Sequence, residues 1–498
     1  MPLDPKIDVE VLLAAWSFER SITLIGVSAA TWIDQLLMRS DASELLVRDG
    51  RVAISRDRAR GLINAAASKG RSLVNEDNLR VGLMMDRSPY APLVMLGLSL
   101  SGAEVLLLRA DSTQQELYEI QRVWSINRTL KASDLITEGQ LGEQKSAPSI
   151  TDYGVSLESN FFTILSSGTT GNSKAITHSY SSAIGSALAF SAAMGIEPGD
   201  RFFHNWPMFY MAGLFNLFLC PLVAGAEVLL SQEFSAAIAR RQLNAITDSG
   251  TNQILLSPTM ANVYTRVMSA HKPDLSACKV VCTSSMLYPS VESRFTDVFN
   301  CDLHPCYGIT EYGGSFTFGT SKSKPFSVGK PIQGVTVRID SGEIKVKSPF
   351  VAPLMSLPDG RSIRLEKSKF HPTNDLGTIS EDGEVFLLGR LGDEIKKGGE
   401  FLSLIDIEDI ALSVSGVSDA LAIPCASEFW GQDFVLKIVC DERSGDERSV
   451  LHRKLVSTIS DSRSPLAVPL RIDFVPAIAR TDSGKPLRRA YLGEGQED

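Results

Sequence analysis

Short apolar runs alternate with longer apolar stretches at helical spacing along most of this chain, and glycines punctuate the joins. The run Phe161-Phe162-Thr163-Ile164-Leu165 has the length of a buried strand. "NQILLS" predicts a strand leading into the helix-like "PTMANVYTRVM", and "KVVCTS" predicts a strand followed by the helix-like "SVESRFTDVF". "APLVMLGLSLS" reads as a buried helix that stops at a glycine, after which "GAEVLL" (Gly102 to Leu107) forms a short strand. The same six letters return at Gly225 to Leu230, after another apolar helix-like run. Helix, glycine stop and buried strand is the rhythm of an α/β sheet with helices packed on it, and its repetition suggests two related halves. From about Gly334 the texture becomes β-rich, as in "GVTVRIDSGEIKVKS" and "GTISEDGEVFLLG", and past Gly389 a smaller mixed segment follows. The predicted fold class is therefore α/β: a large multi-layer α/β N-terminal domain with a β-rich subdomain, then a small α+β C-terminal domain. No low-complexity linker separates the parts, so any hinge between them is short.

The uncharged segment Phe209 to Ala226 is long enough to test for a membrane span. Asn216, Pro221 and the small residues near its end favour a buried helix running into a turn. The N-terminal "MPLDPKIDVEVLL" has no basic region before its apolar residues, so it does not read as a secretory signal.

With 498 residues and 44% hydrophobic content the chain exceeds one ordinary domain and can bury large cores. A net charge of −9 and a pI of about 5.4 argue against nucleic acid or an anionic membrane as the main partner, and favour small-molecule chemistry. The seven cysteines are odd in number and form no CxxC pair, which suits reduced thiols in a cytoplasmic enzyme. Cys301, His304 and Cys306 lie close in sequence, but no second cluster completes a four-ligand metal site.

The stretch "SSGTTGNSKAITHS", residues 166 to 179, combines unhindered backbone N–H groups, hydroxyls and one cation directly after the Phe161–Leu165 run. That chemistry suits the oxygens of a polyphosphate. The strict phosphate-loop pattern needs four residues between its glycines, then Lys-Ser/Thr; here Gly168 and Gly171 are closer, and Ala175 follows Lys174. Alone, the stretch is equally a phosphate loop or an ordinary Ser/Thr/Gly connection.

Three further stretches bear on the choice. "CYGITEYGG" (Cys306 to Gly314) offers an aromatic ring, a glycine turn, a hydroxyl and a carboxylate, a set that can stack a base and hold Mg²⁺ beside phosphate. Asp375 and Arg390 offer a carboxylate for ribose hydroxyls and a guanidinium for phosphate. "ARTDSGKPLRR" presents Lys485 on a glycine turn, where an ammonium can reach a reacting centre. Singly, these are also a β-turn, a surface ion pair and a basic tail.

In this order the stretches resemble the adenylate-forming superfamily of acyl- and aryl-CoA synthetases, firefly luciferases and nonribosomal-peptide adenylation domains, and are nearest in type to the acyl-CoA synthetases. The likeness runs from about Leu83 to Arg489. Its signature is Ser167-Gly168-Thr169-Thr170-Gly171-x-x-Lys174, then Tyr307-Gly308-x-Thr310-Glu311, then Thr373-x-Asp375, then Gly389-Arg390-x-x-Asp393-x-Ile395-Lys396, then Gly484-Lys485.

The resemblance implies roles for these residues. Ser167, Gly168, Thr169, Thr170, Gly171 and Lys174 would form a mobile loop over the ATP β- and γ-phosphates. Tyr307 would stack near adenine, Thr310 would contact the α-phosphate, and Glu311 would hold Mg²⁺. Asp375 would bind the ribose hydroxyls with Arg390 close by, and Lys485 would bridge the attacking carboxylate and the α-phosphate. Residues 1 to 389 would form the N-terminal domain and 390 to 498 a mobile C-terminal lid. The lid would swing about Gly392 and carry Gly398 and Gly399 to a thiol tunnel. The implied reaction joins a carboxylic acid to ATP, releases pyrophosphate, and passes the acyl group to coenzyme A or a carrier-protein phosphopantetheine. The alternatives are an adenylation enzyme loading an amino or aryl acid onto a carrier protein, and a nucleotide-binding regulator without turnover.

Several positions depart from the family pattern. Ser173 replaces a common proline, Asn374 the glycine of Thr-Gly-Asp, and Leu404 a frequent proline. "TSSMLYP" (Thr283 to Pro289) replaces Gly-Gly-Ala-Pro, so Ser284, Ser285 and Met286 imply a narrower or reshaped pocket. Tyr210 stands where acyl-CoA synthetases often carry histidine and amino-acid-activating domains an aspartate. A buried ammonium without a carboxylate would be costly, so an acid with an uncharged acyl or aryl side is favoured. Candidate pocket residues are Tyr210, Met211, Gly213, Ser285, Met286, Tyr307, Gly308 and Gly314, with core packing an equal reading for Met211.

Overall fold

A computed structural model describes residues 28–38, 45–74, 79–136, 149–166, 173–268, 273–320, 324–391, 394–440, 445–481 and 484–491. Two seven-stranded sheets dominate it. In the first, the spatial order is Leu303–Pro305, Lys279–Cys282, Gln253–Leu256, Arg201–His204, Glu227–Leu230, Leu45–Arg48, Ala53–Ser55. All neighbours are parallel except the last pair, which forms an antiparallel edge. The second sheet has a parallel part formed by Asn160–Ser166, Glu104–Arg109, Arg80–Met85 and Arg128–Lys131. Lys174–Ser179, Leu354–Ser356 and Ser362–Arg364 extend it antiparallel.

The predicted strands and helices between residues 253 and 299 form as Gln253–Leu256, Pro258–Val267, Lys279–Cys282 and Pro289–Phe299. The two "GAEVLL" copies yield Glu104–Arg109 in one sheet and Glu227–Leu230 in the other. Each follows a helix closed by a left-handed glycine, Gly102 at φ +92° and Gly225 at φ +85°. A side chain would be strained in that conformation, and this is why glycine stops each helix. Helix Ala91–Leu100 is buried at all ten positions, and Tyr180–Met194 is buried at nearly all. Helices apolar on every side belong between layers, so these two lie inside the molecule.

The apolar segment expected to be a buried helix is one, but its first part differs from an α-helix. Ala212–Leu219 is wound as a π-helix and continues as the short α-helix Cys220–Ala224. The Asn216 side-chain amide donates to the Ala212 carbonyl at 3.3 Å, the acceptor that its backbone N–H would use in an α-helix. Among the described residues no helix is long and apolar enough to cross a membrane. All seven cysteines are free thiols.

The β-rich region is a four-stranded antiparallel sheet of Thr336–Asp340, Glu343–Lys347, His371–Ile379 and Val385–Arg390. Past it lies a five-stranded sheet of Glu394–Lys397, Glu400–Ser403, Val417–Ser427, Gly431–Cys440 and Arg471–Phe474, with helices Leu404–Ser413 and Gly445–Ser462. Inside this C-terminal unit Lys397 donates to Asp433 at 2.6 Å and to the Val468 carbonyl at 2.7 Å, both side chains being almost fully buried. The second lysine of "IKK" is thus spent on holding its own sheet.

Candidate active site

The carboxyl ends of four parallel strands of the first sheet open on one edge: those of Arg201–His204, Gln253–Leu256, Lys279–Cys282 and Leu303–Pro305. Ligands of open α/β sheets bind at such an edge, because the connecting loops leave a crevice there. The loop after the fourth strand is a tight hairpin. Gly308 pairs with Ser315 and Ile309 with Gly314, and a Cβ on Gly308 would come within 2.3 Å of the Gly314 carbonyl oxygen. The tip, Thr310–Tyr312, is one turn of 3₁₀ helix that presents Thr310 and Glu311. Two bonds fix it from below: Ala352 N–H to the Glu311 carbonyl at 2.9 Å and the Ser186 hydroxyl to the Gly313 carbonyl at 2.7 Å.

Lys174 lies at the mouth of the hairpin Asn160–Ser166/Lys174–Ser179, directly opposite Ser166. Ser167, Gly168, Thr169, Thr170 and Gly171 lie outside the described residues. His178, two strand repeats beyond Lys174 on the same face, is fully buried beside Phe162 and the Thr310 backbone. Burial pushes its imidazole down to about 4, so the ring is neutral at pH 7.

Tyr307, Asp375 and Arg390 come together. The Tyr307 hydroxyl donates to Asp375 Oδ2 at 2.6 Å, and Arg390 Nε donates to Asp375 Oδ1 at 2.7 Å. Asp375 and Arg390 are cross-strand partners, which is why residues fifteen apart in sequence meet. Burial first, and then the Asp375 charge, hold the Tyr307 hydroxyl protonated well above its usual range. Asn374, in the position where the family has glycine, takes φ +60°. Asparagine tolerates that left-handed conformation better than other side chains, so the departure keeps the local backbone kink beside Asp375 within strand His371–Ile379.

The Gly484–Lys485 turn closes on itself through Thr481 N–H to the Lys485 carbonyl at 2.8 Å and Lys485 N–H to Thr481 Oγ1 at 3.1 Å. It rests on the start of helix Pro258–Val267, where Thr259 Oγ1 donates to the Gly484 carbonyl at 3.4 Å. This docks the turn beside the carboxyl end of Gln253–Leu256, on the same sheet edge as the other groups.

Of the candidate acid-pocket residues, Tyr210 stacks on Trp206 with ring centroids 6.4 Å apart. A Cβ on Gly314 would meet the Phe215 ring at 3.0 Å and the Met211 methyl at 3.1 Å, so this segment and the hairpin touch. The adjoining Asn216 Oδ1 accepts from the Ser315 hydroxyl at 3.0 Å, a buried polar contact that no sequence spacing announces. Ser285 and Met286 are half-buried on the connection after Lys279–Cys282, and Ser284 beside them takes φ +82°. Gly213 leaves no room for a side chain, since a Cβ would lie 2.0 Å from the Pro207 carbonyl oxygen. Gly213→Ala is expected to destabilise the protein by about 1–3 kcal/mol, read from the midpoint of urea unfolding, because backbone must shift to admit the methyl.

Gly398 and Gly399 lie away from these groups, on the hairpin of Glu394–Lys397 and Glu400–Ser403. A side chain on Gly398 would meet Trp430 and Leu466, and one on Gly399 would meet open space. Gly392 lies outside the described residues. Cys301, His304 and Cys306 do not converge: the thiols face the Cys278 carbonyl and Ser315, and the imidazole faces the Gly319 carbonyl. Among the described residues no three His, Cys, Asp or Glu side chains gather into a metal cluster. A single carboxylate such as Glu311 is nonetheless the donor set that suits Mg²⁺ carried in on phosphates.

Comparison with known proteins adds the following. The AMP-binding enzyme family matches residues 63–353, and the AMP-binding enzyme C-terminal domain matches residues 406–485. A probable CoA ligase of Humulus lupulus is 26% identical over 382 residues, covering 70% of this chain and 63% of its own length. The 2-succinylbenzoate–CoA ligase of Bacillus mycoides is 25% identical over 437 residues, covering 82% of this chain and 87% of its own. Among solved structures, ATP-bound MatB from Rhodopseudomonas palustris superposes with a TM-score of 0.78 at 20% identity, over 94% of this chain and all of that one.

Proposed function

Because this chain belongs to the AMP-binding enzyme family, we propose that it is an AMP-forming acid–thiol ligase, activating a carboxylic acid with ATP and passing the acyl group to a thiol. The observation that carries this reading is the meeting of the Tyr307–Asp375–Arg390 cluster, the Thr310–Glu311 tip and the Lys485 turn around one parallel-sheet edge. Asp375 holds the ribose hydroxyls, with Arg390 beside the same sugar and Tyr307 against the base. Lys174 and the loop before it hold the outer phosphates, and Thr310 contacts the α-phosphate. In the first step a carboxylate oxygen bonds to the α-phosphorus while the bond to the bridging oxygen breaks, and pyrophosphate leaves. Lys485 offsets the negative charge that builds between carboxylate and phosphate. In the second step a thiol sulfur bonds to the acyl carbon, AMP leaves, and the thiol proton is released. Positioning and charge neutralisation supply the rate, as in other phosphoryl chemistry.

Mg²⁺ would be held by Glu311 and the phosphates, and supplies neutralisation of phosphate charge. Glu311→Gln is expected to raise the Mg²⁺ concentration for half-maximal turnover about tenfold, since an amide is a poorer ligand for a hard cation. An unchanged Mg²⁺ titration would make this carboxylate structural.

The acid we assign is uncharged on its acyl or aryl side, because Tyr210 stacks on Trp206 where an amino acid's ammonium would need a carboxylate. The acceptor thiol is coenzyme A or a carrier-protein phosphopantetheine. Residues 1–389 and 390–498 form the two moving parts, with the pivot at Gly392 and with Gly398 and Gly399 at the thiol tunnel. The seven free thiols support a reducing compartment, the cytoplasm. The decisive experiment is acid-dependent ATP–pyrophosphate exchange with octanoate, benzoate, 2-succinylbenzoate, malonate and phenylalanine, followed by addition of either thiol. Exchange with none of them would leave a nucleotide-binding protein without turnover, and exchange with phenylalanine alone would favour carrier loading of an amino acid.

A further inference from the structure

The connection that carries Ser284, Ser285 and Met286 ends at Tyr288, and Tyr288 reaches the C-terminal unit. Its hydroxyl donates to Glu408 Oε2, on helix Leu404–Ser413. Glu408 is 1% exposed, and within its own unit it also accepts from Ala422 N–H at 2.8 Å and from Arg488. Neighbouring contacts follow the same line. The Ser290 hydroxyl donates to Asp409 at 2.7 Å, Arg294 caps the end of helix Leu404–Ser413 at the Leu412 carbonyl, and Asn262 and Arg266 donate to the Ser418 and Val417 carbonyls. Most of these bonds run from a large-domain side chain to a lid backbone carbonyl or, at Asp409, to a partly buried lid carboxylate. Tyr288 alone meets a buried carboxylate, a group that is costly to leave short of donors.

The same segment is under backbone strain. Ser284 holds φ +82°, a conformation that favours glycine, four residues before the tyrosine. The wall of the acid pocket and the attachment of the lid therefore lie on one short piece of chain, Ser284 to Tyr288. The lid orientation that this attachment fixes is the one with the Lys485 turn seated on Thr259.

We propose that Tyr288 is a positioning residue that ties the lid, and with it Lys485, to the wall of the acid pocket in the adenylating orientation. The proposal rests on the function proposed above. The tie belongs to the first half-reaction only, since the lid must leave this face to bring a thiol to the adenylate. Tyr288→Phe is a clean probe, because Glu408 keeps Ala422 N–H and Arg488 and the lid's own fold is untouched.

The test measures both half-reactions of the full-length wild type and Tyr288→Phe, using the best acid of the panel above. It also measures hydrogen exchange in helices Pro289–Phe299 and Leu404–Ser413. The expected result is pyrophosphate exchange slowed roughly tenfold, the loss of one charge-assisted bond. Thioester formation from chemically made acyl-adenylate should be unchanged or faster, and both facing helices should exchange faster. Equal slowing of the two half-reactions, or no change in either, would overturn the proposal, since a merely structural tyrosine gives one or the other. A wild type that exchanges pyrophosphate with no acid would count against the proposed function rather than the tie. Hydrogen exchange then decides: faster exchange confined to the two helices supports the tie, and an unchanged pattern overturns it.

Discussion

Lys485→Ala is expected to slow acid-dependent ATP–pyrophosphate exchange on the order of 10³-fold while ATP affinity stays within a few-fold. A preorganised donor aimed at developing charge is worth about 10²–10³ in turnover, and a full cation at the reacting oxygens belongs at the top of that range. The turn that carries it has no other evident duty. Its backbone bonds run through Thr481, Arg480 and Thr259, and none of them uses the lysine side chain. Truncation therefore leaves the docking of the turn intact and removes only the charge. Because the interaction strengthens in the transition state, kcat falls and nucleotide binding does not. Exchange at the wild-type rate would make Lys485 a tail residue, and the lid's catalytic role would lapse with it.

Asp375→Asn is expected to lower kcat/KM for ATP about 100-fold, chiefly through KM. The carboxylate accepts from Tyr307 and from Arg390 with its two oxygens. An amide keeps one acceptor and turns an N–H₂ group toward a donor, so one of those bonds becomes a clash of like groups. Hydrogen bonds to charged groups contribute about 1.5–3 kcal/mol each, which sets the scale of the loss once the ribose contacts are included. The change is nearly isosteric, and Thr373 continues to hold the strand through its bond to the Ile344 carbonyl at 2.7 Å. A KM for ATP within threefold of wild type would show that Asp375 serves the sheet and not the nucleotide.

The charged candidates stood out by the order of their short motifs along the chain, which is what the resemblance reads; singly, each stretch also fitted a turn, an ion pair or a tail. Local geometry accounts for the Gly308 to Gly314 hairpin, which needs glycine at its close approach, and for the left-handed Asn374, which in the sequence is only a departure from the expected glycine. The repeated helix, glycine and strand units were legible because their pattern is local. Contacts between distant segments were not. Nothing local in "MLYPS" or "LIDIEDI" announces that Tyr288 and Glu408 meet across 120 residues. The π-helical winding at Ala212–Leu219 was hidden as well, because an apolar run looks alike in either helix and only Asn216 hints at the difference.

The order of strands in the first sheet governs how the chain is made. Leu45–Arg48 finds its parallel partner Glu227–Leu230 only after roughly 180 further residues have left the ribosome, on the order of 10–40 s at ordinary elongation rates. Leu354–Ser356 completes its pairing with Lys174–Ser179 after a comparable delay. Through that interval Leu45–Arg48, whose Leu46 and Val47 are buried in the finished sheet, has only its antiparallel neighbour Ala53–Ser55 beside it. Nascent chains are thus exposed to aggregation until translation is well advanced. Yield in a foreign host should follow chaperone supply and translation speed more closely than the stability of the finished enzyme.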